Sequence, residues 1–150
     1  MHVHHVAALG VALQESVIYG QAYATQVIRN AQALAAELYA RGVKAMFPHK
    51  GFTQTHQVLV ELHQDQAEAI GCWRQLENSG IHCNLIDLPF KKGYGLRLGT
   101  SEATRRGMNT DEMIILAGLI AAGLNKEIPA DLIRSRIREL SSSVTELEFV

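Results

Sequence analysis

The hydrophobic period of this chain changes at Gly42, and that change limits the folds open to it. Before Gly42 the pattern is helical. Residues 5–16 carry an almost unbroken run of small and aliphatic side chains (Val6, Ala7, Ala8, Leu9, Val11, Ala12, Leu13), which predicts a helix buried on most sides. Residues 19–41 predict a longer helix, with Tyr23, Val27, Leu34 and Leu38 on one stripe and Gln26, Arg29 and Glu37 off it. Gly42 suits the position after a helix end, because it has no Cβ to oppose the left-handed conformation. Beyond it the pattern becomes short and strand-like. Residues 43–47 and 57–62 predict strands around a loop at 48–54. Residues 81–85 and 94–99 predict two more, flanking a loop that holds Pro89, Lys91, Lys92 and Gly93. Between these pairs, Asp65 is a natural N-cap for a helix reaching about residue 78, burying Ala67, Ile70, Gly71 and Leu76 and stopped by Ser79-Gly80.

The last third is helical again. Asn109-Thr110-Asp111-Glu112 resembles a capping box, and Met113, Leu116, Ala117 and Ile120 follow at helical spacing. Pro129 fits the first turn of a closing helix with Leu132, Ile133, Ile137 and Leu140 on one face; the tail 144–150 has no clear pattern. Long helices leading into a few short strands covered by helices define an α+β chain. The predicted divisions are 1–41 (entry helices), 42–125 (a small α/β domain) and 126–150 (a closing helix and tail).

Composition narrows the function classes. Of 150 residues, 47% are hydrophobic and 19% charged, with a net charge of −1, and the basic residues are scattered. That excludes the concentrated positive footprint of a nucleic-acid or anionic-membrane binder. The apolar run at 114–124 is too short to span a bilayer. The start lacks a basic segment followed by a long apolar one, so a cytoplasmic location is the expectation. Cys72 and Cys83 read as reduced core thiols, since neither lies in a C-x-x-C spacing that would hold zinc. His2, His4 and His5 read as a polar chain end, so no metal is expected.

The segment richest in chemistry is Gly95-Leu96-Arg97-Leu98-Gly99-Thr100, followed by Ala103-Thr104-Arg105-Arg106-Gly107. An arginine within an apolar strand is costly if buried without an anion, and its planar fork matches a carboxylate through two parallel hydrogen bonds. On residue chemistry alone, pairing with a structural carboxylate or exposure at a strand end is the favoured explanation of Arg97.

The wording of this segment resembles the stretch of serine hydroxymethyltransferases whose arginine grips the α-carboxylate of the amino-acid substrate. Three further segments agree in order: residues 5–15 resemble the helix after the cofactor-lysine region, and 26–35 resemble the long helix bridging the two domains. Residues 51–56, Gly-Phe-Thr-Gln-Thr-His, are similar to the family's Gly-Gly-Thr-Asp-Asn-His turn. Together they span roughly residues 5–125. The resemblance implies the small C-terminal domain of an aspartate-aminotransferase-like, pyridoxal-phosphate-dependent fold, with a short, mainly antiparallel sheet covered by helices. It implies that Arg97 binds the substrate carboxylate, that Thr53 and His56 form a supporting loop, and that Asn84, Gly99 and Thr100 lie near the active site.

Two departures accompany the resemblance. The family's cofactor lysine falls before the matched region, and none of Lys44, Lys50, Lys91, Lys92 and Lys126 stands in its Thr-His-Lys-Thr context. The chain alone is therefore expected to be inactive, with pyridoxal phosphate bound mainly by an N-terminal half. Where the family reads Val-Asn-Lys-Asn-x-x-Pro, this chain reads Cys83-Asn84-Leu85-Ile86-Asp87-Leu88-Pro89. Ile86 replaces an asparagine that contacts tetrahydrofolate, and it has no side-chain hydrogen bond to offer. Aldol or transaldol chemistry on glycine and β-hydroxy amino acids is thus favoured over folate-dependent hydroxymethyl transfer. The expected partners are a large-domain chain carrying the lysine, or a second copy. The alternatives are an isolated non-catalytic domain or a module that binds amino-acid carboxylates.

Overall fold

The computed structural model describes residues 2–144 and 147–149. The chain begins with one helix, α1 (Val3–Ala40), rather than two. Nothing between residues 16 and 19 interrupts the backbone ladder: Val17 and Ile18 are poor helix formers but not breakers, and Gly10 and Gly20 are tolerated singly. At 38 residues the helix is about 57 Å long. Its two halves differ. From Val27 onward it buries Val27, Asn30, Ala31, Leu34, Ala35 and Leu38. The first half, expected to be buried on most sides, is exposed instead: Val3 is 84% and Val17 87% accessible, and Val6, Leu9, Val11 and Leu13 are also exposed. Within this chain no element packs over that apolar surface among the described residues.

Three strands follow: β1 (Gln57–His63), β2 (Asn84–Asp87) and β3 (Tyr94–Gly99). They form one antiparallel sheet in the order β1-β3-β2. The strand expected at 43–47 is reduced to a single bridge between Ala45 and Val60. Ladder bonds run from Met46 N to Leu59 O and from Glu61 N to Lys44 O, but Phe47 turns into the left-handed region (φ 62°), which bends the chain away from β1. The strand expected at 81–85 lies three residues later, because Ile81 N still bonds Leu76 O and closes the preceding helix.

That helix, α2 (Gln66–Asn78), is capped as expected: the Asp65 carboxylate accepts Glu68 N at 3.0 Å. It buries Leu76 as expected, together with Ala69; Ile70 is half-buried, and Ala67 and Gly71, expected to be buried, are exposed. A short helix α3 (Ser101–Arg105), not anticipated, follows β3 directly. α4 (Thr110–Leu124) starts with the full capping box of Asn109 and Glu112. α5 (Ala130–Ser143) has Pro129 at its N-cap rather than inside its first turn, and buries Ile133 and Leu140 while Leu132 stays exposed. Of the unassigned tail, Glu148 N bonds Arg105 O at 2.8 Å and the Phe149 ring meets Tyr23; residues 145, 146 and 150 lie outside the described residues.

The core lies on one side of the sheet. Val58 and Val60 of β1 and Leu96 and Leu98 of β3 pack with Leu34 and Leu38 of α1, Leu76 of α2, and Met113 and Ile120 of α4. Side chains alternate across a strand, so the other side carries Gln57, Leu59, Glu61, Arg97, Gly99, Asn84 and Ile86. Among the described residues no helix covers that face. No helix of the described residues is long and apolar enough to cross a membrane.

Candidate substrate-carboxylate site

Arg97 sits in the middle of the central strand, flanked in register by Leu59 on β1 and Asn84 on β2. Its side chain is exposed, because the pleat turns it to the uncovered side while Leu96 and Leu98 go to the core. Among the described residues it has neither an ion-pair partner nor a side-chain hydrogen bond. The nearest carboxylate on that face by register, Glu61, lies 4.0 Å from Lys44 instead. A guanidinium held in mid-strand with all its donors unused is available for an anion.

The other predicted residues collect around the strand's end. Thr100 is buried, and its hydroxyl donates to Val27 O at 3.0 Å and to His56 O at 3.3 Å, while its backbone N donates to His56 O at 3.1 Å. It ties β3 to α1 and to the loop before β1. His56 thus acts through its carbonyl; its ring is exposed, with Nε2 3.3 Å from Gln57 Nε2. Thr53 fixes the same loop. Its Oγ1 accepts Thr55 N at 3.1 Å, and its carbonyl accepts Gln32 Nε2 of α1 at 3.0 Å. Asn84 is exposed opposite Arg97. Gly99 lies on the Arg97 side of β3, and a Cβ there would meet nothing within 4 Å. The structure therefore brings Arg97, Asn84 and Gly99 to one face, with Thr100, His56 and Thr53 as the framework at its edge.

Two features escaped the sequence reading. Asn30, fully buried on α1, donates to Thr104 Oγ1 at 2.8 Å and to Met108 O at 2.7 Å, and accepts from Gln26 Nε2 at 2.8 Å. Its signal was present, since it shares the stripe of Val27 and Leu34 at helical spacing. Arg105 pairs with Glu15 at 2.9 Å and so joins α3 to the exposed half of α1. No local pattern announces a contact across that much sequence. Trp73 is half-buried and donates from Nε1 to Cys83 O at 2.9 Å. Both cysteines are free thiols, and burial, aided by the Glu77 carboxylate, pushes the Cys83 thiol up to about 11.

The residues of this chain do not by themselves fit pyridoxal phosphate. The Arg97 face is built from Gln57, Leu59, Glu61, Asn84, Ile86 and β3, with no lysine in its register. Lys44 is on the β1 flank, Lys50 in a 3-10 turn, Lys91 and Lys92 in the β2–β3 connection, and Lys126 beyond α4. Among the described residues no group of three or more His, Cys, Asp or Glu could hold a metal ion.

The profile of the serine hydroxymethyltransferase family matches residues 1–120. The chain belongs to that family. Serine hydroxymethyltransferase of Methanopyrus kandleri is 41% identical over 155 residues, covering 99% of this chain and 36% of the relative. That of Methanocaldococcus jannaschii is 35% identical, covering 99% of this chain and 37% of the relative. The crystal structure of L-threonine transaldolase from Pseudomonas fluorescens in its internal aldimine state superposes with a TM-score of 0.88 at 32% identity. That match covers 93% of this chain and 32% of the transaldolase. This serine hydroxymethyltransferase-family chain thus spans about a third of the length of the proteins it matches. Its α+β architecture with a small antiparallel sheet is that of the C-terminal domain of a type I pyridoxal-phosphate enzyme.

Proposed function

We propose that this chain is the C-terminal part of a pyridoxal-phosphate enzyme acting at the α-carbon of glycine and β-hydroxy amino acids, with Arg97 holding the substrate's α-carboxylate. The observation that carries this reading is the position of Arg97: mid-strand, exposed on the open face, and without an ion pair among the described residues. Two parallel charge-assisted hydrogen bonds from its guanidinium would fix both the location and the tilt of a carboxylate. Orientation of that kind decides which bond at the α-carbon is presented for cleavage. Gly99, with no atom near its missing Cβ, leaves room for close approach beside Arg97. Asn84 is placed to share in polar contacts, while Thr100, His56 and Thr53 hold the strand end and its loop in place.

Pyridoxal phosphate, when bound, supplies an electron sink for bond breaking at the α-carbon. Its lysine and phosphate cradle would come from an N-terminal portion, and the apolar exposed half of α1 is the surface on which that portion would rest. Ile86 on the Arg97 face supports aldol or transaldol chemistry over folate-dependent transfer, because it offers a folate no side-chain hydrogen bond. The test is to assemble the chain with a lysine-bearing large domain of the family and to measure cleavage of β-hydroxy amino acids with and without tetrahydrofolate. Folate-independent cleavage, lost on Arg97→Ala, is expected; unaltered cleavage by Arg97→Ala would remove the assignment.

A further inference from the structure

We propose that an open groove between α4, α5 and the end of α1 binds a monocarboxylate with an apolar body, an aryl or alkyl acid, through Arg41 and Arg136. The groove has a volume of about 690 Å³, within the range that small-ligand sites occupy. α4 packs on the helix-covered side of the sheet, so the groove lies across the sheet from Arg97. It is also clear of the apolar half of α1, since Ile18 and Ala40 are about 33 Å apart along the helix.

Arg41, the C-cap of α1, lies across Gly118 of α4. A Cβ at Gly118 would come within 3.3 Å of its Cζ and 3.5 Å of both Nη1 and Nη2. Those similar distances mean that the guanidinium lies flat against the helix, where a side chain at position 118 would crowd it. Its Nε donates to Glu37 Oε1 at 2.7 Å, and Nη1 and Nη2 make no hydrogen bond among the described residues. Arg136 borders the same groove from α5. It is exposed and has neither an ion pair nor a side-chain hydrogen bond among the described residues. Its neighbour on α5, Arg134, is by contrast paired with Asp131.

Two guanidinium groups thus border one groove with donors free for the oxygens of an anion. The walls beside them are apolar, with Ile115, Leu119 and Ile128 on α4 and its connection and Leu140 on α5. Glu127 and Glu139, both exposed, also line the groove and limit the charge it accepts. Neither pairs with an arginine among the described residues: Glu127 accepts Asn125 Nδ2 at 2.9 Å, and Glu139 accepts Ser135 Oγ at 3.5 Å. A phosphate monoester, with a charge of roughly −2 near neutral pH, would be repelled by both. A single carboxylate matches the fork of one guanidinium and needs no further cation. The apolar walls then call for an apolar body behind that carboxylate.

The test follows amide shifts of the isotope-labelled full chain on titration with naphthalene-2-carboxylate, its neutral amide naphthalene-2-carboxamide, and 2-naphthyl phosphate. The carboxylate should shift Gly118, Leu119 and Arg136 and bind about tenfold more tightly than the amide, as expected for charge-assisted hydrogen bonds. The double substitution Arg41→Gln, Arg136→Gln should abolish that preference and leave the affinity for the amide unchanged. Gly118→Ala, whose methyl group displaces the Arg41 guanidinium, should weaken binding of the carboxylate alone. The phosphate should bind more weakly than the carboxylate, and Glu139→Gln should narrow that gap. Equal affinity for carboxylate and amide, a preference that survives the double substitution, or tighter binding of the phosphate would overturn the proposal. So would shifts confined to Arg97 or to residues 3–18.

Discussion

Arg97 and Asn84 stand opposite each other on adjacent strands, on the face of the sheet that no helix covers among the described residues. Their Cβ atoms are then about 5 Å apart, close enough to contact one ligand together. Removal of either should therefore affect ligand binding far more than folding, since neither is buried.

In the assembled enzyme, Arg97→Ala should lower kcat/KM by about 100- to 1,000-fold, the loss typical of a desolvated charge pair. Arg97→Lys keeps the charge but loses the fork, so it should recover only part of this. Asn84→Ala should cost about tenfold or less. Urea unfolding of each variant chain should stay within about 0.5 kcal/mol of the native chain. Steady-state kinetics alongside those curves separates a binding role from a structural one.

The Glu15–Arg105 pair holds the exposed half of α1 against α3. Both side chains are partly exposed, so Glu15→Gln should destabilise the chain by only about 0–1 kcal/mol, and less at high salt. Its effect should be local. Amide exchange between residues 3 and 18 should quicken while that of residues 27–38 stays unchanged, because the latter are held by the core.

Cys83 should react slowly. With its thiol pushed up to about 11 by burial and by Glu77, roughly one part in a thousand is thiolate at pH 8. Alkylation in the native chain should therefore lag far behind that in the urea-unfolded chain. The linkage sign follows: the folded state keeps its proton to higher pH than the unfolded state, so this group's contribution is intact below about 9 and is lost as pH rises towards 11.

Much of this was legible in the sequence wherever one local rule decided the outcome. β3 lies where Tyr94 to Gly99 alternates, and Asp65 and the Asn109 capping box start their helices as read. The failures come from contacts that no window contains. The strand at 43–47 is cut short by the backbone of Phe47, and β2 slides because Ile81 is needed to close α2. Residue chemistry leaves Arg97 open between pairing with a structural carboxylate and exposure at a strand end; it is exposed, but in mid-strand. Which face of the sheet stays open depends on where α1, α2 and α4 pack, and that is a tertiary fact. For the same reason the run from Val6 to Leu13 reads as core although this chain leaves it exposed.

Gly95 and Gly99 lie on one face of one strand, yet they should respond in opposite ways to the same substitution. At Gly95 a methyl group would meet the Val60 carbonyl and the buried Leu88 side chain. Backbone cannot move aside as a flexible side chain can, so Gly95→Ala should destabilise the chain by about 3 kcal/mol. At Gly99 a methyl group meets nothing within 4 Å. Gly99→Ala should therefore leave the chain as stable as before, or more stable by about 0.5–1 kcal/mol through lost freedom in the unfolded state. Its effect should emerge only with ligand, as weaker binding beside Arg97. Urea curves for the two variants, paired with a serine titration of Gly99→Ala, check both halves. A Gly99→Ala chain that binds serine as tightly as the native one would mean that the open space at Gly99 is not where the substrate lies.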